Sequence, residues 1–199
     1  MIWPPVFGQV QTRKGEDVGL KNTGIEYGSM AKALHWLVAI GLIALIYLGL
    51  EQAGMERGDE KSRIRFIHAS IATITLILMT IRIVWRFMND TPAHPDGMPG
   101  WQRLSSSIVH WGLYISVFIQ LFAGAMVTGT GGRGLPVFGL FSIPLPVAED
   151  HDAHEWWELV HEYAWMPVAF LLTVHVLGAL YNHFVVKNDV LRRMTVGVK

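Results

Sequence analysis

The chain has 199 residues, 51% hydrophobic and 16% charged, with 16 Lys and Arg balanced against 16 Asp and Glu. A soluble domain of this length carries about a quarter charged residues, so the composition points to a membrane, and the zero net charge argues against a basic field for nucleic acid. The lack of cysteine excludes disulfides, thiolate zinc sites, iron–sulfur clusters and covalent c-type haem attachment, leaving His, carboxylates or a non-covalently held cofactor.

Residues 1–30 are polar and have no apolar core of the length a signal peptide needs, so they read as an N-terminal extension. Four apolar segments then follow, each long enough for the roughly 20 residues a bilayer requires. They cover about 33–51 (ALHWLVAIGLIALIYLGLE), 64–87, 104–128 and 157–186. The connections GMERGDEKS, NDTPAHPDGMPGWQ and GTGGRGLPVFGLFSIPLPVAEDHDAHEW carry the Gly and Pro that turns require. Apolar GLPVFGLFSIPLPV in the last of them reads as a surface-lying or reentrant segment, because its prolines and glycines cannot sustain a fifth span. The expected fold is an all-α membrane protein, a four-transmembrane-helix bundle over 31–199.

Lys and Arg divide unevenly between the two sides. Arg13, Lys14, Lys21, Lys32, Arg82, Arg86, Arg103, Lys187, Arg192, Arg193 and Lys199 lie on the side of the termini, against Arg57, Lys61, Arg63, Arg65 and Arg133 on the other. By the positive-inside rule both termini are expected in the cytoplasm.

Within the spans, His35 lies near the inner end of the first and His68 near the outer end of the second, while the fourth carries both His161 and His175. Fourteen residues advance a helix by roughly 21 Å and return it to within about 40° of its starting face. Both imidazoles of the fourth span therefore face one interior, at different depths. His68 is placed to meet His161 on the outer side and His35 to meet His175 on the inner. A lone His in a span can be a packing residue, but four in two depth-matched pairs are costly in the apolar layer and point to ligation. Facing imidazoles suit the two axial positions of an iron porphyrin, whereas zinc would want further ligands at the same depth.

Arg82 lies fourteen residues after His68, which puts it on the same face at the level of the inner pair. It is a candidate counter-ion for haem propionates, with Arg86 one turn beyond; snorkelling to the headgroups is the competing explanation. Gly124 and Ala125 in FAGAM could admit a flat macrocycle or serve ordinary helix packing, and packing is the preferred explanation. Pro167, between the two histidines of the fourth span, removes a backbone donor and is expected to bend that helix.

YGSMAKALHW, IHASIA, IRIVWR and HEYAWMPVAFLLTVHVLGALYNHFVVKNDVLRRM together resemble the bacterial cytochrome b561 family over roughly residues 27–195. His35, His68, His161 and His175 fall on that family's haem-ligand positions and Arg82 on its second-helix arginine. The resemblance implies two b-type haems with the pairing above and electron exchange with quinone. In one branch it implies oxidation of superoxide to oxygen, with the electrons passed to ubiquinone.

Two imidazoles per iron leave no open position, so such haems shuttle single electrons rather than activate oxygen. Superoxide would be drawn by cations near the outer haem. Arg57, Lys61, Arg63 and Arg65, joined by Arg133, are the candidates, although such a run is also an ordinary interfacial anchor. The other outer loop is acidic, with Glu149, Asp150, Asp152, Glu155 and Glu158, and would suit a basic periplasmic redox partner instead. His110 and His183, on the inner side, could exchange protons at a quinone headgroup or simply line the interface. His151 and His154 have H-x-x-H metal spacing but read first as solvated loop residues, and His94 receives no role. Trp36, Trp85, Trp111, Trp156 and Trp157 read as an aromatic belt. Three functions are thus compatible with the sequence: a quinone-coupled di-haem oxidoreductase in the inner membrane, a cytochrome subunit serving a partner redox protein, and a non-haem transporter.

Overall fold

In a computed structural model, which describes residues 19–95 and 97–197, four long helices run α1 (Ser29–Ala53), α2 (Asp59–Met88), α3 (Gly100–Thr130) and α4 (His151–Tyr181). All four are long and apolar enough to cross a membrane. Each extends a turn or more past the apolar segment that marks it in the sequence, because polar residues continue the helix beyond the hydrocarbon layer. Local chemistry sets several of the ends. Pro99, with φ −59°, sits at the N-cap of α3, where a missing N–H costs nothing. The Asp150 carboxylate accepts the Ala153 N–H at 2.9 Å and caps α4. α4 continues through Pro167 and is followed by a π-helical turn, Asn182–Val186.

The chain is not wholly helical. Leu135–Val137 (β1) and Phe141–Ile143 (β2) pair antiparallel, Leu135 opposite Ile143, in the segment expected to lie on the surface or re-enter the membrane. Phe138 and Gly139 both take positive φ at the turn (48° and 77°), the conformation that matches the twist of a tight hairpin. β1 packs along α2. The Phe138 N–H donates to Oγ of Ser70, a fully buried residue, at 3.1 Å, while that hydroxyl donates to the Phe66 carbonyl at 2.9 Å. Ser70→Ala therefore strips the Phe138 N–H of its acceptor, an expected loss of about 0.5–1.5 kcal/mol. Faster amide exchange at Phe138, with the helices unchanged, is the measurement; unchanged exchange would show that Ser70 does not hold the hairpin.

α1 packs on α2 and α3 on α4, and α2 joins the two pairs through α3. The α1–α2 contact is intimate, since a Cβ at Gly41 would fall 2.5 Å from Thr75 Oγ1. Val38, Leu42, Leu45, Met79, Val117, Leu121 and Val168 make the core. Ile40, Ile43, Ile77, Phe118 and Phe170 are exposed, as residues meeting lipid should be. Buried hydroxyls of Thr73 and Thr75 donate to carbonyls four residues back, satisfying themselves within their own helix. α4 stands apart: among its described residues only Val168 is buried. It makes no extensive backbone contact with α1 or α2 among the described residues, so its inward face borders a cleft rather than packed protein.

The described part of the N-terminal extension is built into the bundle. Ser29 N–H donates to the Gly19 carbonyl (3.1 Å), Gly28 N–H to Asn22 Oδ1 (2.9 Å), and Asn22 Nδ2 to the Asp90 carbonyl (2.9 Å). Ala93 N–H donates to the Gly24 carbonyl (2.9 Å), and Arg193 in turn donates to the Ala93 carbonyl (2.5 Å). Trp36 Nε1 donates to the Met194 carbonyl at 2.8 Å, so this aromatic-belt residue also ties α1 to the C-terminal segment. Residues 19–28, the α2–α3 loop and residues 188–197 thus close one end of the bundle, the terminal end; the β-hairpin lies at the other, the hairpin end. Arg13, Lys14 and Lys199, like residues 1–18 of the extension, lie outside the described residues.

Candidate functional site

The histidines of the spans meet across the cleft in two pairs. Near the terminal end the His35 and His175 ring centroids are 6.1 Å apart with planes at 56°. Near the hairpin end those of His68 and His161 are 6.2 Å apart with planes at 86°. Helical period explains the placement, since fourteen residues along α4 nearly restore its face. Two metal–nitrogen bonds of about 2 Å on opposite sides of one ion, with the rings' half-widths added, require centroids about 6 Å apart. Both pairs meet that requirement, and His35 and His175 line a cavity.

Hydrogen bonding at the hairpin-end pair also suits a metal. His161 Nδ1 lies 3.0 Å from the Gln120 carbonyl oxygen on α3. A carbonyl only accepts, so Nδ1 carries the proton and Nε2 of the neutral ring keeps its lone pair, the arrangement common among metal-ligating histidines. His68 Nδ1 is buried with no partner, as is Oε1 of Gln120. A Cβ on Gly124 would sit 2.9 Å from His161 Cε1 and 3.1 Å from Nδ1. Gly124 is therefore the seat of the His161 ring, which corrects the preference for ordinary helix packing there. At Gly49 the approach is looser, 3.6 Å from a Cβ to His68 Cε1.

The terminal-end pair is richer in polar groups. Arg82 Nη2 is 2.8 Å from His35 Nδ1, and its guanidinium lies 5.3 Å from the Tyr114 ring centroid. Arginine only donates, so Nδ1 accepts here; ligation through Nε2 would place a proton on Nδ1 and release Arg82 from this bond. His110 stands 5.1 Å from His175, centroid to centroid, and 3.3 Å from the Ser106 hydroxyl. His35, His110, His175, Arg82 and Tyr114 line one cavity with Leu42, Met79 and Val117. Tyr27, just before α1, has its phenol pushed up by burial, with Arg86 opposing; it is protonated at neutral pH.

The remaining sequence candidates are scattered. His183 packs on its neighbour Phe184, at 4.8 Å, rather than on the histidine cluster. Lys61 donates to the Met55 carbonyl (2.8 Å) and Arg63 pairs with Glu60 (2.8 Å), while Arg57, Arg65 and Arg133 are exposed at the hairpin end. His151 and His154 are not in a loop but in the first turn of α4. His151 lies 3.4 Å from Glu155, and His154 Nδ1 bonds the Val127 carbonyl at 3.0 Å, tying α4 to α3. No cluster of three or more metal-ligating side chains occurs among the described residues, and of the two only His154 ties α4 to another helix. Sequence reasoning missed Gln120 and Tyr114. The signal for Gln120 was a single amide in the apolar run of α3, where polar groups are costly.

The profile of the prokaryotic cytochrome b561 family matches residues 26–197. Cytochrome b561 homolog 2 of Escherichia coli (strain K12) is 28% identical over 174 residues, 87% of this chain and 93% of that protein. Cytochrome b561 homolog 1 of the same strain is 24% identical over 164 residues, 81% and 92% of the two chains. A probable superoxide oxidase, CybB, of Yersinia pestis is 26% identical over 172 residues, covering 85% of this chain and 95% of that one. Four membrane-length helices, paired imidazoles across their cleft and a match over nearly the whole described chain agree: this protein belongs to the prokaryotic cytochrome b561 family, multi-pass electron-transfer proteins of the bacterial inner membrane whose cofactor is haem b.

Proposed function

We propose that the chain is a di-haem b cytochrome, with both termini cytoplasmic, that carries electrons between a reactant at its periplasmic hairpin end and quinone in the bilayer. The observation that carries this reading is the pair of imidazole separations, 6.1 and 6.2 Å, at two depths on one helix. His68 and His161 would hold one haem, His35 and His175 the other. Each would supply one-electron Fe(III)/Fe(II) cycling.

The chain's own residues then position and exclude. His161 is fixed by the Gln120 carbonyl and Gly124, and the apolar core between the pairs keeps water from the path. Arg82 is within reach of a propionate at the terminal-end site, and His110, against His175, is the imidazole best placed to pass protons to a quinone headgroup. Superoxide is the leading donor: each anion gives up one electron and leaves as oxygen, and two such electrons with two protons reduce ubiquinone to ubiquinol. Exposed Arg57, Arg65 and Arg133 are the steering charges. The acidic first turns of α4 favour a second reading, a cytochrome that exchanges electrons with a basic periplasmic redox protein.

Superoxide added to purified protein with a soluble quinone is expected to yield reduced quinone at a rate that falls with ionic strength. Fully haem-loaded protein that leaves the quinone oxidised would reject superoxide and favour the partner reading; a chain without a Soret band would reject both. Arg82→Ala is expected to weaken retention of the terminal-end haem by roughly 10–100-fold, and Arg82→Lys by less, read by haem loss to an external acceptor. Equal loss rates in wild type and Arg82→Ala would remove the propionate role.

A further inference from the structure

Gln120 touches the hairpin-end pair in three ways. Its backbone carbonyl takes the His161 Nδ1 proton at 3.0 Å. Its side-chain Nε2 lies 3.3 Å from Nδ1 and 3.4 Å from Nε2 of the same ring. Near-equal distances to both nitrogens place the amide over the face of the imidazole, not at the end of either lone pair, since at the Cε1 edge it would overlap that carbon. The amide oxygen, meanwhile, is buried and has no partner. An amide left half-satisfied in an apolar helix is not there to balance its own hydrogen bonding.

One turn further along α3, Gly124 approaches the Cε1–Nδ1 edge of that ring. The imidazole is therefore held at its edge by a carbonyl and a bare backbone and over its face by an amide, which together fix its rotation about χ2. At the other pair, His175 meets His110 and His35 meets Arg82, side chains rather than a helix backbone. The ring planes differ correspondingly, 86° at the clamped pair and 56° at the other.

We propose that the Gln120 side chain is a positioning residue that locks the His161 ring near perpendicular to His68 and so sets the redox potential of the hairpin-end haem apart from that of the terminal-end haem. The proposal rests on the reading of these pairs as axial ligands. Its physical basis is ligand basicity and orientation: a firmly held Nδ1–H···O bond makes imidazole a stronger donor to iron and favours Fe(III). Freeing the ring weakens that bond, so the potential of this haem rises.

The test is Gln120→Met, which keeps side-chain length and apolar volume while removing the amide, studied by low-spin ferric electron paramagnetic resonance and a redox titration resolving both haems. Near-perpendicular axial imidazoles give a strongly anisotropic low-spin signal. In Gln120→Met one of the two signals is expected to become less anisotropic or broader. The same haem should be easier to reduce by on the order of tenfold in its oxidised-to-reduced ratio at a fixed poise, about 59 mV for one electron. Gln120→Asn, with a shortened amide, should move the same signal and potential by less. Selective loss of the hairpin-end haem from either variant also supports the assignment. Unchanged signals and potentials in both variants, or equal changes in both haems, would overturn it. Wild-type protein with no haem bands would instead overturn the cofactor reading beneath it.

Discussion

Replacing His161 with Ala is expected to take the haem content of the purified protein from about two per chain to about one, with the terminal-end haem keeping its spectrum. His68 and His161 face each other at 6.2 Å from different helices, and no other imidazole lies within ring contact of either among the described residues. Loss of one axial ligand should weaken binding by more than the roughly 10–100-fold that loss of an outer partner of a metal ligand costs. The terminal-end pair lies fourteen residues away along α4, roughly 21 Å, beyond the range at which substitutions couple through shared contacts. His68→Ala should give the same product, and His35→Ala or His175→Ala the converse. A reduced-minus-oxidised spectrum with haem quantification decides it: if His161→Ala removed both haems in equal proportion, the pairing would be wrong.

The sequence carried these pairs because helical period alone fixes them. A fourteen-residue interval must return to its face, and α1 and α2 each bring a histidine to one of the two depths. What lies around the pairs depends on how the helices are rotated against one another, which no single segment encodes. His110 meets His175 across the α3–α4 contact, and its sequence position told only that it was near the inner side. Gln120 was visible as a polar group in an apolar run, but its partner was not. The hairpin was hidden for another reason: strands of three residues are too short for a period of two to register, and Leu, Pro, Val, Phe and Ile suit a membrane-lying coil equally well. His151 and His154 were misplaced because Asp150 starts α4 two turns before its apolar stretch begins, and hydropathy does not see a cap.

Gly124 separates the two meanings a small residue can have in a membrane helix. In FAGAM it could serve close packing between α3 and any neighbour, and then alanine would be tolerated at a few tenths of an ångström. Its Cβ would instead meet the His161 ring, 2.9 Å from Cε1 and 3.1 Å from Nδ1, well inside ordinary contact. The ring cannot yield in place, because Nδ1 is bonded at 3.0 Å to the Gln120 carbonyl of the same helix face. Gly124→Ala therefore pushes the imidazole off its hydrogen bond and shifts Nε2 relative to His68. Helix propensity acts the other way, since alanine favours a helix interior over glycine by about 1 kcal/mol, so α3 itself should be at least as stable. The expected product is a folded, thermally robust protein whose hairpin-end haem is held roughly 10–100-fold more weakly, while the other haem is unaffected. Haem-transfer kinetics to an external acceptor, run beside thermal unfolding, separate the two effects. Equal transfer rates in Gly124→Ala and wild type would mean that the His161 ring is not seated against α3 when it serves as a ligand.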